Sequence, residues 1–179
     1  MSRLPVLTPQ TAVGGARDML GELVARHGQV GDMVRVMANS PAVLGGYLQL
    51  SRSMKRAKLD RRISERISIA VQVRQGCELC LDSHIAAARS LDIDDIEIDR
   101  ARRGTSGDPT IAPMVAFGLQ VYAEPTAITT AHVQELRDLS YSDREIADVV
   151  GVVALNVLTG AFNLVAGLRP RLSDDRAVG

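Results

Sequence analysis

The stretch Glu65–His84, ERISIAVQVRQGCELCLDSH, holds both cysteines of the chain, Cys77 and Cys80, and one of its three histidines, His84. A helix opening just after Gly76 and running over 77–91 puts Cys77, Cys80 and His84 at i, i+3 and i+7, on one face. Residues three apart on a helix have Cβ atoms roughly 5 to 6 Å apart, and a disulfide closes when Cα atoms are about 4.4 to 6.8 Å apart, so this pair can be oxidised without large backbone movement. A cysteine in the first turn also faces unpaired amides, which favour the reactive thiolate. Glu78 and Asp82 oppose that effect if they point inward.

Glu65 joins the site only on a geometric condition. Along one continuous helix it lies about 18 Å from Cys77. If the chain reverses at Gln75 and Gly76, the two helices run antiparallel, with Glu65 roughly 16 Å up one and His84 roughly 12 Å up the other. A carboxylate at that height orients the imidazole and stabilises its charge, as the acid of a catalytic triad does. The alternative is a solvated Glu65 paired with Arg61 or Arg62.

The 179 residues suit one domain, and we take 1–179 as a single unit with its motif region at about 41–104 and a C-terminal helical unit at about 110–168. Apolar residues make up 46% and aromatics 3%, without Trp, so the core is built of Ala, Val, Leu, Ile and Met, a composition that favours an all-α fold. With 21 basic and 21 acidic residues and no basic run interleaved with aromatics, nothing points to nucleic acid. The opening MSRLPVLTPQ lacks the layout of a signal peptide, so a cytoplasmic location is expected. There, two cysteines at i, i+3 are redox groups or metal ligands rather than a staple. Zinc is the weaker choice, because the other histidines, His27 and His132, sit in unrelated segments and four ligands are wanted.

Local signals place a first helix at 9–27, capped by Thr8 with Pro9 at its first position and closed by Gly28. A short helix follows at 31–38, then one opened by Ser40 and Pro41 to about 56. Asp60 caps the Glu65 helix, whose Ile63, Ile67, Ala70 and Val71 form an apolar stripe. Asp94 or Asp95 starts a short acidic helix that ends near Gly104, Thr105–Pro109 reads as a flexible surface loop, and 110–123 forms another helix. The basic cluster Arg52, Lys55, Arg56 and Lys58 reads as a solvated face. Ser142 and Glu145 make a capping box for a last helix that reaches Ala166, with Gly167 past its end. This helix is apolar enough to raise a membrane question. Asn156 and Asn163, seven apart on one face, argue instead for a buried central or inter-subunit helix with polar registration points.

Glu65, eleven residues, Cys-x-x-Cys, three residues and His84 together resemble the signature of the AhpD-like alkylhydroperoxidase family, within the carboxymuconolactone decarboxylase superfamily. The flanking SPAVLGGYLQL, DIDDIEIDRARRG and SDREIADVV segments extend the likeness over about residues 20–168. The resemblance implies an all-α fold with a central helix pair carrying the cysteines, and a thiol-dependent peroxidase or thiol-disulfide oxidoreductase that needs no metal, haem or flavin. It implies that Cys80 is peroxidatic, Cys77 resolving, and His84 with Glu65 a proton relay. One position departs: founding members carry a second histidine just before the inner cysteine, where this chain has Leu79, leaving the relay a histidine short. The implied partners are a hydroperoxide, a dithiol reductant of the dihydrolipoamide kind or a peroxiredoxin, and further copies of the chain in a trimer or a multiple of one. The competing readings are a lactone decarboxylase, which has no use for a dithiol, and a non-catalytic redox-sensing protein.

Overall fold

The computed structural model describes residues 2–170, and every regular element among them is helical. In chain order these are α1 (Gly14–His27), α2 (Asp32–Met37), α3 (Pro41–Met54), α4 (Arg61–Gln75), α5 (Glu78–Arg89), α6 (Asp95–Arg102), α7 (Ala112–Ala123), a short 3-10 turn at Pro125–Ala127, α8 (Thr130–Asp138) and α9 (Asp143–Ala166). The all-α expectation therefore holds.

The organising element is α4. Asp60 caps it by accepting the Arg62 N–H at 2.6 Å, and the seven consecutive residues Arg66–Gln72 are all buried. A helix buried all round needs neighbours on every side. Here α5, α6, α7 and α9 supply them. Ile63, Ile67, Ala70 and Val71 meet Met114, Val115 and Phe117 of α7, Leu136 of α8 and Val149, Val152 and Val153 of α9 in the main core. Ile69, on the other side, packs with Ile85, Ala88, Ile93, Ile98 and Ala101 of the α5–α6 region. A third cluster joins α1, α2 and α3 through Leu20, Met37 and Leu44, with Phe162 of α9 against it.

Helix α9 is long and apolar enough to span a membrane by length and composition. Its Ile146, Val149, Val152, Val153, Asn156, Gly160, Asn163 and Ala166 are buried inside the fold, so it serves as a core helix. The expected capping box is present, with Ser142 Oγ accepting the Glu145 N–H, and Gly167 ends the helix in the left-handed region. Both asparagines face α4 and α5 of the same chain, which overturns an inter-subunit role for them. Asn156 donates to Ser68 Oγ at 2.9 Å and accepts from Gln72 Nε2 at 2.8 Å. What α9 leaves outside is an apolar stripe that includes Val150, Val157, Leu164 and Val165.

Two further expectations are corrected. Helix α1 begins at Gly14, not at residue 9: the Thr8 carbonyl accepts the N–H of Thr11 at 3.1 Å and of Ala12 at 2.8 Å, closing a turn. Val13 is extended (φ −126°), and only after Gly14, at φ 52°, does the helix propagate. The loop at Thr105–Pro109 is pinned to the body, because Glu97 accepts from Ser106 Oγ at 2.7 Å and from the Gly107 N–H at 2.8 Å. The basic cluster at Arg52, Lys55, Arg56 and Lys58 is exposed, as expected.

Candidate functional site

The reversal required of Gly76 is there. Gly76 takes φ 77°, ψ 24°, a left-handed conformation that glycine adopts without steric penalty, and its N–H returns to the Gln72 carbonyl at 2.9 Å. Cys77 follows as the N-cap residue of α5, its carbonyl accepting the Leu81 N–H at 2.9 Å. The two helices thus fold back on each other, and His84 Nδ1 lies 2.8 Å from Glu65 Oε2.

Both halves of the Glu65 alternative are realised, one on each oxygen. Oε2 takes His84, while Oε1 lies 3.8 Å from Arg61 Nε. The carboxylate is far from solvated: its side chain is 13% exposed, against 70% for Arg61. An exposed pair of that kind contributes about 0 to 1 kcal/mol, whereas the short contact to His84 fixes the ring. With Nδ1 held by the carboxylate, Nε2 is the nitrogen left to act.

Both cysteines are free and buried, at 2% and 6% exposure for Cys77 and Cys80. They behave as one titrating pair. Cys77 is drawn down to about 6, chiefly because the Cys80 S–H donates to its sulfur, with the Cys80 amide, Asn163 and the His84 charge adding to this against the cost of burial. Cys80 is pushed up by that same hydrogen bond and by burial, with Asn163 pulling the other way. The reduced pair therefore carries its charge on Cys77, at the α5 N-terminus, where unpaired amides favour a thiolate. Glu78 and Asp82 point to solvent and do not oppose it.

Sequence reasoning missed one neighbour. Asn163 Nδ2 donates to Cys80 Sγ at 3.2 Å across 83 residues of chain. Its position on the Asn156 face of α9 was legible, but which helix that face meets was not. Close by, Gly160 lets α9 approach the end of α4: a Cβ there would collide with Gln75 Oε1 and lie 2.7 Å from Gln72 Oε1. Those two oxygens and Asn163 Oδ1 are buried acceptors without a hydrogen-bond donor. Among the described residues, no three His, Cys, Asp or Glu side chains converge as a metal-ligand set.

Comparison with known proteins agrees with this geometry at the level of fold. No curated protein matches the sequence. The family model of the carboxymuconolactone decarboxylase family matches residues 41–112, the segment that carries Glu65, Cys77, Cys80 and His84. Among solved structures, the chain is similar to an alkylhydroperoxidase AhpD core, an uncharacterized peroxidase-related protein from Ralstonia eutropha JMP134, with a TM-score of 0.79, 21% identity, and 95% of this chain and 92% of that one covered. It is also similar to an uncharacterized peroxidase-related protein from Silicibacter sp. TM1040, with a TM-score of 0.76, 20% identity and coverage of 94% and 90%. A third, from Agrobacterium tumefaciens, is described as a protein of unknown function and a putative antioxidant defence protein AhpD; it gives a TM-score of 0.62 at 18% identity, covering 75% of this chain and 94% of that one. Residues 41–112 thus match the carboxymuconolactone decarboxylase family model, and the chain as a whole shares the all-helical fold of the AhpD-like structures.

Proposed function

We propose that the protein is a thiol-dependent peroxidase that reduces hydroperoxides through Cys77 and Cys80. The observation that carries this reading is the His84–Glu65 pair at 2.8 Å, standing one turn beyond Cys80 on the helix that presents both thiols. In the reduced pair Cys80 shares its proton with the Cys77 thiolate. As that proton passes to Cys77, Cys80 Sγ attacks the terminal oxygen of the hydroperoxide and the O–O bond breaks. The leaving alkoxide takes a proton from the imidazolium of His84, held by Glu65. The products are an alcohol and a sulfenic acid on Cys80. Cys77 then attacks that sulfur, water leaves, and the disulfide is reduced by an external dithiol of the dihydrolipoamide kind or by a peroxiredoxin partner. Thiols that rest in the reduced state suit the cytoplasm. Self-association, as a trimer or a multiple of one, belongs to the same reading and is supported by the outward apolar stripe of α9.

Thiol titration before and after one equivalent of an organic hydroperoxide tests the cycle. Loss of two thiols per chain without cross-linking between chains is expected, and unchanged thiols would overturn the reading. Turnover of peroxide with dihydrolipoamide or dithiothreitol then separates a catalyst from a redox sensor, which reacts once.

A further inference from the structure

We propose that Asn163 holds the oxygen that is transferred to Cys80: its Nδ2–H anchors the sulfur while its Oδ1 accepts the O–H of the bound hydroperoxide. The inference rests on the peroxidase reading and adds to it a site residue lying outside the family-matched segment 41–112.

Three observations meet here. The Nδ2–Sγ distance is 3.2 Å, so the carboxamide already lies against the reacting atom. Asn163 is only 3% exposed, and its Oδ1 has no donor. A buried acceptor without a partner carries an unrecovered desolvation cost, which a ligand with an O–H group at that place would remove. Finally, this bond comes from α9, so Cys80 is reached by a polar side chain from a different helix as well as by its neighbour Cys77.

The chemistry suits a carboxamide. Attack by the Cys80 thiolate on the terminal oxygen of HO–OR forms the S–O bond and breaks the O–O bond; sulfur loses two electrons and the peroxide gains them. The transferred oxygen keeps its hydrogen, and the departing RO⁻ takes a separate proton from His84. The same O–H group is therefore present before the step, on the hydroperoxide, and after it, on the sulfenic acid. A fixed acceptor beside the sulfur orients that group throughout, and the adjacent N–H stabilises the sulfur while it is anionic. The amide thus matches an S–O–H unit, donor to sulfur and acceptor to hydroxyl. A water or an alcohol would satisfy Oδ1 equally well but would not react.

The test uses the full-length chain in a Cys77→Ser background, where Cys80 is the sole thiol. Asn163→Leu removes donor and acceptor at similar volume; Asn163→Asp keeps the shape and the acceptor, removes the donor and adds a negative charge. Hydrogen peroxide and cumene hydroperoxide are the probes, with rates of sulfenic acid formation read by a dimedone-type label and iodoacetamide alkylation of Cys80 followed against pH. Asn163→Leu is expected to slow sulfenic acid formation by roughly a hundredfold, in line with the loss of one preorganised donor, and both variants shift the alkylation profile to higher pH. A purely structural asparagine would leave the profile in place. Sulfenic acid formation and alkylation unchanged in both variants would overturn the inference, and so would a slowed reaction with an unshifted profile. If Cys77→Ser with native Asn163 forms no sulfenic acid at all, it is the peroxidase reading that fails, and the alkylation profiles alone then decide whether Asn163 acts on Cys80.

Discussion

Nineteen residues apart in sequence, Glu65 and His84 meet at 2.8 Å because Gly76 turns the chain back on itself between them. If the pair forms the relay, Glu65→Gln keeps the shape but removes the charge beside the imidazole. In a Cys77→Ser background the alkylation profile of Cys80 should move to higher pH, and peroxide turnover in the parent should fall roughly a hundredfold. Arg61→Ala, which removes only the exposed partner at 3.8 Å, should cost under about 1 kcal/mol and leave the profile alone. Superimposable profiles for Glu65→Gln would make Glu65 structural.

The two sulfurs are assigned different tasks, which single substitutions separate. Cys80→Ser should abolish turnover, whereas Cys77→Ser should leave a trappable sulfenic acid at Cys80. A sulfenic-specific label found on Cys77 in the Cys80→Ser protein would invert the roles.

Reduced wild-type protein should react with iodoacetamide at one thiol first, with a midpoint near pH 6, and peptide mapping should find that label on Cys77. The sign follows from the pair: Cys77 is a thiolate above its lowered value, while Cys80 is pushed up by the bond it donates and by burial. Removing the S–H donor with Cys80→Ala should raise the Cys77 midpoint.

A separate prediction concerns acid stability. Burial alone would push the Glu97 carboxylate up, but bonds from Ser106, Arg100, the Gly107 N–H and Arg66 outweigh it and hold it at about 2. A carboxylate lowered on folding stabilises the native state above its unfolded value and loses that contribution as pH falls through its folded value. Stability should therefore decline from about pH 4.5 toward pH 2. Because Arg66 is buried and bonded to Glu97 Oε2 at 3.3 Å, Glu97→Gln should cost about 3 kcal/mol at neutral pH and flatten that decline in chemical denaturation.

Gly160→Ala should destabilise the protein by about 1 to 3 kcal/mol, since the added methyl meets both glutamine carboxamides at the end of α4. Thermal unfolding checks this.

What the sequence disclosed tracks the distance over which each feature is decided. The hairpin, its Gly76 turn and the Glu65–His84 register follow from helical rise and one glycine, all within twenty residues, and they appear as expected. So do the caps at Ser40, Asp60, Asp94 and Ser142. Asn163 was visible as a polar break in an apolar helix, but its partner lies 83 residues away, and only the packing of α9 on α4 and α5 selects Cys80 over a neighbouring subunit. The start of α1 failed for a local reason. Thr8 and Pro9 do signal a helix start, but Thr11 competes by bonding back to Thr8, and the Gly14–Gly15 pair moves the start downstream. Glu97 hides its part for the opposite reason, since an acidic residue in an acidic helix gives no hint that a loop ten residues on will close over it.

The three clusters of the core also distribute stability unevenly. The apolar attachment of α5 and α6 runs through Ile69 of α4 to Ile85, Ala88, Ile93, Ile98 and Ala101, whereas the middle of α4 is enclosed by α5, α6, α7 and α9. Opening of the α5–α6 flap therefore requires less apolar surface to be wetted than does loss of the bundle, and its amides should exchange with deuterium before those of α4 and α9. Cys77 and Cys80 sit at the start of that segment, next to the Gly76 turn. On the proposed peroxidase reading, breathing of the segment, rather than global unfolding, sets how often a bulky dithiol reductant meets an oxidised Cys77–Cys80 pair.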